Sequence, residues 1–119
     1  MKKLIFAFVA LSLAVALGEE KTVTVNAWVL DSACALTKGL KKPISAECAI
    51  ACAKAGSPLA LLDDHGNLYS VISDAMPAPG QNDKLMPFAG QRVKVTGKLY
   101  TQNGSKGIVI ASIEPEAKK

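Results

Sequence analysis

The sequence predicts a mostly β fold: a five-stranded barrel with a short cysteine-bearing α-helix inserted between strands 1 and 2. Three observations point there. Residues 22–30 combine β-branched side chains with strict alternation. Two later pairs of β-patterned runs are each joined by a turn sequence. An Ala-rich helical stretch, holding two of the three cysteines, separates the first strand from the rest.

In the first strand Val23, Val25, Ala27 and Val29 fall on one face, and Thr22, Thr24, Asn26 and Trp28 on the other. Successive strand side chains point to opposite sides, so this pattern describes a half-buried strand. Residues 39–44 form a loop, with Pro43 leading into the helix. Ser45 supplies an N-cap and Glu47 a negative charge in the first turn; residues 46–55 are helical by propensity, and Gly56 followed by Pro58 ends the helix.

Residues 59–62 and 68–72 flank Asp63-Asp64-His65-Gly66-Asn67 and read as a hairpin. Residues 73–83, with two prolines and a glycine, form a long loop, and residues 84–88 a single helical turn. Residues 91–100 alternate again with Val93 and Val95 inward, and Gly97 interrupts them as a bulge would. Asn103-Gly104 marks a tight turn before the last strand, residues 108–113. Five strands with the long connection between the third and fourth give an OB-like barrel. An open sheet of the same hairpins, capped by the helix, is the competing arrangement.

The N-terminus carries a different message. Met1-Lys2-Lys3 is a short basic start, followed by an apolar run to Leu17 broken only by Ser12, and Ala16-Leu17-Gly18 fits a signal-peptidase site, with Ala14-Val15-Ala16 as a second. The run is shorter than the roughly 20 apolar residues of a membrane span. Residues 1–18 are therefore expected to be a signal peptide and residues 19–119 a single domain, periplasmic or secreted, with no stable membrane anchor after cleavage. Of the chain's 119 residues this leaves 101; the signal takes two of 14 basic residues and none of 10 acidic ones, so the mature net charge is +2. So weak a balance, with only Lys38, Lys41 and Lys42 approaching a cluster, argues against nucleic acid as a partner.

Reactive side chains gather in one stretch, residues 31–56, which holds Cys34, Cys48 and Cys52. Cys48 and Cys52, four apart, project from one helix face, and Cys34 lies just past the first strand. In an oxidising compartment thiols tend to pair, and two cysteines four apart in a helix suit a bond to each other poorly. A disulfide from Cys34 to Cys48 or Cys52 is the structural expectation; it closes a loop of about 15–19 residues and contributes roughly 3 kcal/mol. The functional expectation is a metal site, in which Cys34, Cys48 and Cys52 hold zinc or copper(I). The one histidine, His65, sits in the hairpin loop, and Met76 and Met86 in later loops, as the other residues weighed as ligands. A thiol-redox role is the remaining reading, with Cys48 at the third helical position, although the chain has no Cys-x-x-Cys. No acyl-transfer constellation is present, and Asp63, Asp64 and Asp74 read as turn and loop formers.

The runs Trp28-Val29-Leu30-Asp31-Ser32-Ala33-Cys34, Glu47-Cys48-Ala49-Ile50-Ala51-Cys52-Ala53-Lys54-Ala55-Gly56, Leu68-Tyr69 and Phe88-Ala89-Gly90-Gln91-Arg92-Val93-Lys94-Val95-Thr96-Gly97 together resemble a family of small exported bacterial proteins of unknown function. Its pattern is Asp-Ser-x-Cys, Cys-x3-Cys-x3-Gly and a late AG-x-x-V-x-V-x-G strand. The resemblance covers nearly all of residues 19–119 and implies an OB-like fold and export, but no activity. Relatives often carry a histidine shortly before the Cys-x3-Cys pair; here that region reads Pro43-Ile44-Ser45-Ala46, so a fourth ligand from that place is missing.

The expected function is a non-enzymatic binding module for a soft metal ion or small ligand near Cys34, Cys48 and Cys52. The rivals are a thiol-redox protein using an unpaired cysteine, and a structural or protein-interaction domain presenting a barrel face around Trp28, Tyr69 and Tyr100.

Overall fold

The strand β1 (Glu19–Asp31) is longer than its alternating core because two neighbours hold it along its whole length. Residues 19–28 pair antiparallel with β4 (Arg92–Gln102), and residues 27–31 with β2 (Leu59–Asp63). The chain is seen in a computed structural model that describes residues 19–117; the expected signal peptide, residues 1–18, lies outside them. With β3 (Leu68–Val71) and β5 (Ser105–Pro115), the strands close into a barrel in the order β1-β2-β3-β5-β4. β3 and β5 run parallel and every other neighbouring pair antiparallel. This is the expected OB-like barrel.

The alternation in β1 does what it predicts: Val25, Ala27 and Val29 are buried in the barrel with Leu59, Leu61, Val93, Val95, Leu99 and Ile108. Gly97 sits at the expected irregularity, where the β4–β5 register shifts. A Cβ there would stand 2.2 Å from the Val109 carbonyl oxygen, so only glycine lets β5 pass. In the β4–β5 turn Asn103 and Gly104 both have positive φ, 52° and 81°, as a type I′ hairpin requires.

Two helices, not one, fill the connection between β1 and β2. The anticipated helix is α2 (Ala46–Lys54). The Ser45 hydroxyl accepts from the Cys48 amide, and the other end closes with Ser57 N–H on the Cys52 carbonyl and Gly56 N–H on that of Ala53, with Gly56 at φ +101°. Its Ala49 and Ala53 pack into the barrel core. The unanticipated one is α1 (Ser32–Lys38), which starts directly from the end of β1. Its Ala35 covers Leu30 and Leu62 on the outer side of the barrel, with Leu40 and Leu68 beside them, forming a second small core. That explains why β2 is buried on both faces.

The loop after β3 leads to α3 (Asn82–Leu85) and a 3₁₀ turn (Met86–Phe88) at the place where one helical turn was expected. Asn82 ties this segment to the α2–β2 junction: its side-chain oxygen accepts from Leu59 N (2.9 Å) and its amide donates to Ser57 O (2.9 Å).

The aromatic face expected around Trp28, Tyr69 and Tyr100 is not one face. Tyr69 points into the core and is 7% exposed. Its hydroxyl donates to Asp63, whereas the Trp28 ring lies on the outside under the Arg92 guanidinium, 5.5 Å from the ring centre. Arg92 is held there by both carboxylate oxygens of Asp64 and by Glu116.

Candidate metal centre

The cysteine-bearing segment is organised by the last residue of β1. Asp31 is only 4% exposed, although it carries a charge. One of its carboxylate oxygens, Oδ2, caps α1 by accepting from the Cys34 amide at 2.8 Å. The bond fixes the carboxylate against the first turn of α1, where Cys34 projects. A second tie, from Ser32 N–H to the Pro58 carbonyl (3.0 Å), draws the start of α1 onto the segment that follows α2. The strand end and both helices therefore meet at one point.

At that point a carboxylate oxygen of Asp31, Sγ of Cys34 and Sγ of Cys52 all lie within 4.8 Å of one another. Cys52 arrives because Ala49 and Ala53, burying themselves in the barrel, turn the neighbouring stripe of α2 towards α1. Cys48, one turn earlier on that stripe, lines a small crevice with Asp31 and Cys34. All three cysteines are half-buried and carry free thiols. No two of these sulfurs stand at the bonding distance that the expected disulfide from Cys34 to Cys48 or Cys52 requires. Cys34 and Cys52 come from two separate helices and converge beside the carboxylate, and Cys48 is not part of that three-atom group.

The electrostatics of the cluster follow from its geometry. Burial pushes the Asp31 carboxyl up, but the nearby Ser57 hydroxyl and the Cys34 amide outweigh it and hold Asp31 below the ordinary carboxylate value. The same carboxylate acts in the opposite sense on the thiols. Its hydrogen bond with the thiol, then burial of the thiol, then the charge of Asp31 push Cys34 up to about 11. Cys52 is raised too, by burial first and then by Asp31 and Cys48. A cation among these groups would act in the opposite sense on the thiols, because metal binding releases thiol protons.

The other residues weighed as ligands lie elsewhere. His65 is exposed in the β2–β3 turn, where its backbone N–H donates to Asp63. Met86 packs against the barrel core and Met76 is 86% exposed. Asp63 is a turn former as expected, accepting from the amides of His65 and Asn67, the Asn67 side chain and the Tyr69 hydroxyl. A wider cleft of about 670 Å³ lies between α1 and this turn, with Leu40, Leu62 and Leu68 among its lining and Lys41, Asp64 and His65 around them; its lining includes none of the cysteines.

Asp31 is the site residue that sequence reasoning missed. The available signal was its spacing: an acid three residues before Cys34, at the end of a strand, is placed to cap a helix whose third residue is that cysteine.

Comparison with family models, with curated proteins and with solved structures finds no match for this chain. No helix among the described residues is long and apolar enough to cross a membrane.

Proposed function

We propose that this protein is an exported, non-enzymatic binding module that holds a thiophilic metal ion, zinc or copper(I), between α1 and α2. The observation that carries the reading is the convergence of Cys34 and Cys52, from two different helices, on a buried carboxylate within 4.8 Å. Thiolates gathered at that spacing match the preferences of d¹⁰ ions. Cys48 adds a third sulfur from the neighbouring turn of α2. Export belongs to the same proposal and rests on the basic start and apolar run of residues 1–18, together with the resemblance to small exported bacterial proteins.

The thiol-redox reading draws less support. A nucleophilic cysteine needs a lowered pKa, whereas the two thiols that meet Asp31, Cys34 and Cys52, are both pushed up, and the chain has no Cys-x-x-Cys.

The test is native mass spectrometry of protein purified without chelator, paired with thiol alkylation after denaturation. One zinc or copper adduct per chain with three alkylatable thiols supports the reading. A chain two daltons light, with one alkylatable thiol and no metal uptake after reduction, sinks it.

A further inference from the structure

We infer that Asp31 is itself a ligand, so that the centre is a mixed oxygen–sulfur site for a divalent ion of the zinc type rather than a thiolate-only site for copper(I). This rests on the metal-binding reading above and specifies its chemistry.

The two oxygens of Asp31 do different work. Oδ2 is committed to the Cys34 amide at 2.8 Å. Oδ1 is buried and meets no donor in hydrogen-bonding geometry among the described residues, although the Ser57 hydroxyl and the Cys34 thiol lie near the carboxylate; the residue is 4% exposed. A buried carboxylate oxygen without a well-formed hydrogen bond is costly in a folded protein, and an electropositive partner would satisfy it. The same carboxylate lies within 4.8 Å of both Cys34 Sγ and Cys52 Sγ.

With zinc–sulfur bonds near 2.3 Å and zinc–oxygen bonds near 2.0–2.2 Å, the donor atoms of a tetrahedral site stand about 3.5–3.8 Å apart. Three atoms spaced at up to 4.8 Å thus need to contract by about 1 Å when an ion binds. The adjoining crevice, lined by Asp31, Cys34 and Cys48, has a volume of about 10 Å³, roughly that of a single water-sized sphere.

The donor set then selects the ion. Carboxylate oxygen is a hard ligand that zinc accepts together with thiolate, whereas copper(I) takes soft sulfur donors and gains nothing from oxygen. The cap bond from Cys34 N–H to Oδ2 holds the carboxylate in orientation, as hydrogen bonds to ligating carboxylates do in metal centres.

The experiment compares reduced wild type with Asp31→Asn in zinc and copper(I) competition titrations. Asparagine keeps an oxygen to cap α1 but loses the charge. Zinc affinity should fall by at least roughly tenfold, as changes in a metal centre of this kind do, while copper(I) affinity stays within about twofold. Unchanged zinc affinity in the variant, or equal losses for both ions, overturns the assignment while leaving the thiol-based reading standing. Absence of binding of either ion to wild type overturns that reading and this one with it. X-ray absorption on the zinc-loaded wild type supplies a readout independent of the variant's folding. An oxygen shell near 2.0 Å alongside sulfur near 2.3 Å is the expected result, and a sulfur-only shell overturns it.

Discussion

Gly90 lies so close to Ala46 that a Cβ placed on Gly90 would stand 2.4 Å from the Ala46 Cα, and Gly90 itself has φ +77°. The loop that carries it is anchored on β1 by Gly90 N–H to the Val29 carbonyl (2.8 Å) and by Val29 N–H to the Gln91 carbonyl (3.0 Å). Gly90 is therefore the seat on which the first turn of α2 rests. Gly90→Ala combines a strained backbone with a backbone clash, and should cost about 2 kcal/mol or more. Urea unfolding measures this. If α2 is displaced, metal uptake should fall with stability; a variant of wild-type stability would show that the seat yields at little cost.

Asn82 replaces a missing secondary-structure ladder at the α2–β2 junction, bonding the Leu59 amide and the Ser57 carbonyl. Asn82→Ala leaves both backbone groups without that partner, and should destabilise by about 1–3 kcal/mol. Chemical denaturation should give a lower midpoint with an unchanged slope. A midpoint equal to wild type would show that water takes the place of the amide.

Asp63 links pH to stability. Burial raises its carboxyl, but hydrogen bonds from the Asn67 side chain and amide, the Tyr69 hydroxyl and the His65 amide outweigh this and hold it below the ordinary value of 3.8. The opposite partner moves the other way: burial, and then Asp63, push Tyr69 up to about 12. A carboxyl with a depressed folded-state value stabilises the fold wherever it is ionised. The contribution is complete above about pH 5 and is lost as the pH falls through the ordinary and then the folded value. Wild type should therefore lose stability on acidification through this range, and Asp63→Asn should be less stable at pH 7 with a flatter acid limb. Parallel acid limbs for the two proteins would sink this account.

Ion binding should be readable as stability. A ligand bound only by the folded chain, at a free concentration one hundred times its dissociation constant, contributes about 2.7 kcal/mol. For a domain of this size that raises the melting temperature by about 10–20 °C. Zinc added to the reduced protein should produce such a shift, and it should vanish in Cys34→Ser and Cys52→Ser. A shift that survives both substitutions would place the ion elsewhere.

Much of the barrel was legible because it is written in local periodicity. The two-residue alternation of Val25, Ala27 and Val29, the Ser45 and Gly56 signals around α2, Gly97 at the bulge and Asn103-Gly104 at the turn each act within a few residues. The helix α1 was not legible. It has seven residues, too few for a hydrophobic period to emerge, and it is held by packing of Ala35 on Leu30 and Leu62. Asp31 escaped notice for a related reason. Its capping partner is local, but Cys52, which gives its carboxylate a chemical meaning, comes from a second helix. The position of Tyr69 depended on which face of a four-residue strand the barrel would bury, and the role of Asn82 on a backbone 23 residues away in sequence.

The closure of the ring is unequal. β1 and β4 are matched at ten positions, from Glu19 with Thr101 to Trp28 with Arg92, whereas β3 and β5 meet at only two, Ser70 with Gly107 and Val71 with Ile108. One further bond, from Ile72 N–H to the Ile108 carbonyl, extends that seam. A cylinder so joined breathes at its shortest stitch. Amide exchange should be fast along β3 and the facing part of β5, while β1 and β4 stay shut. Asp31, Cys34 and Cys52 hang from the end of β1 and the two helices that follow it, on the other side of β2 from that short seam.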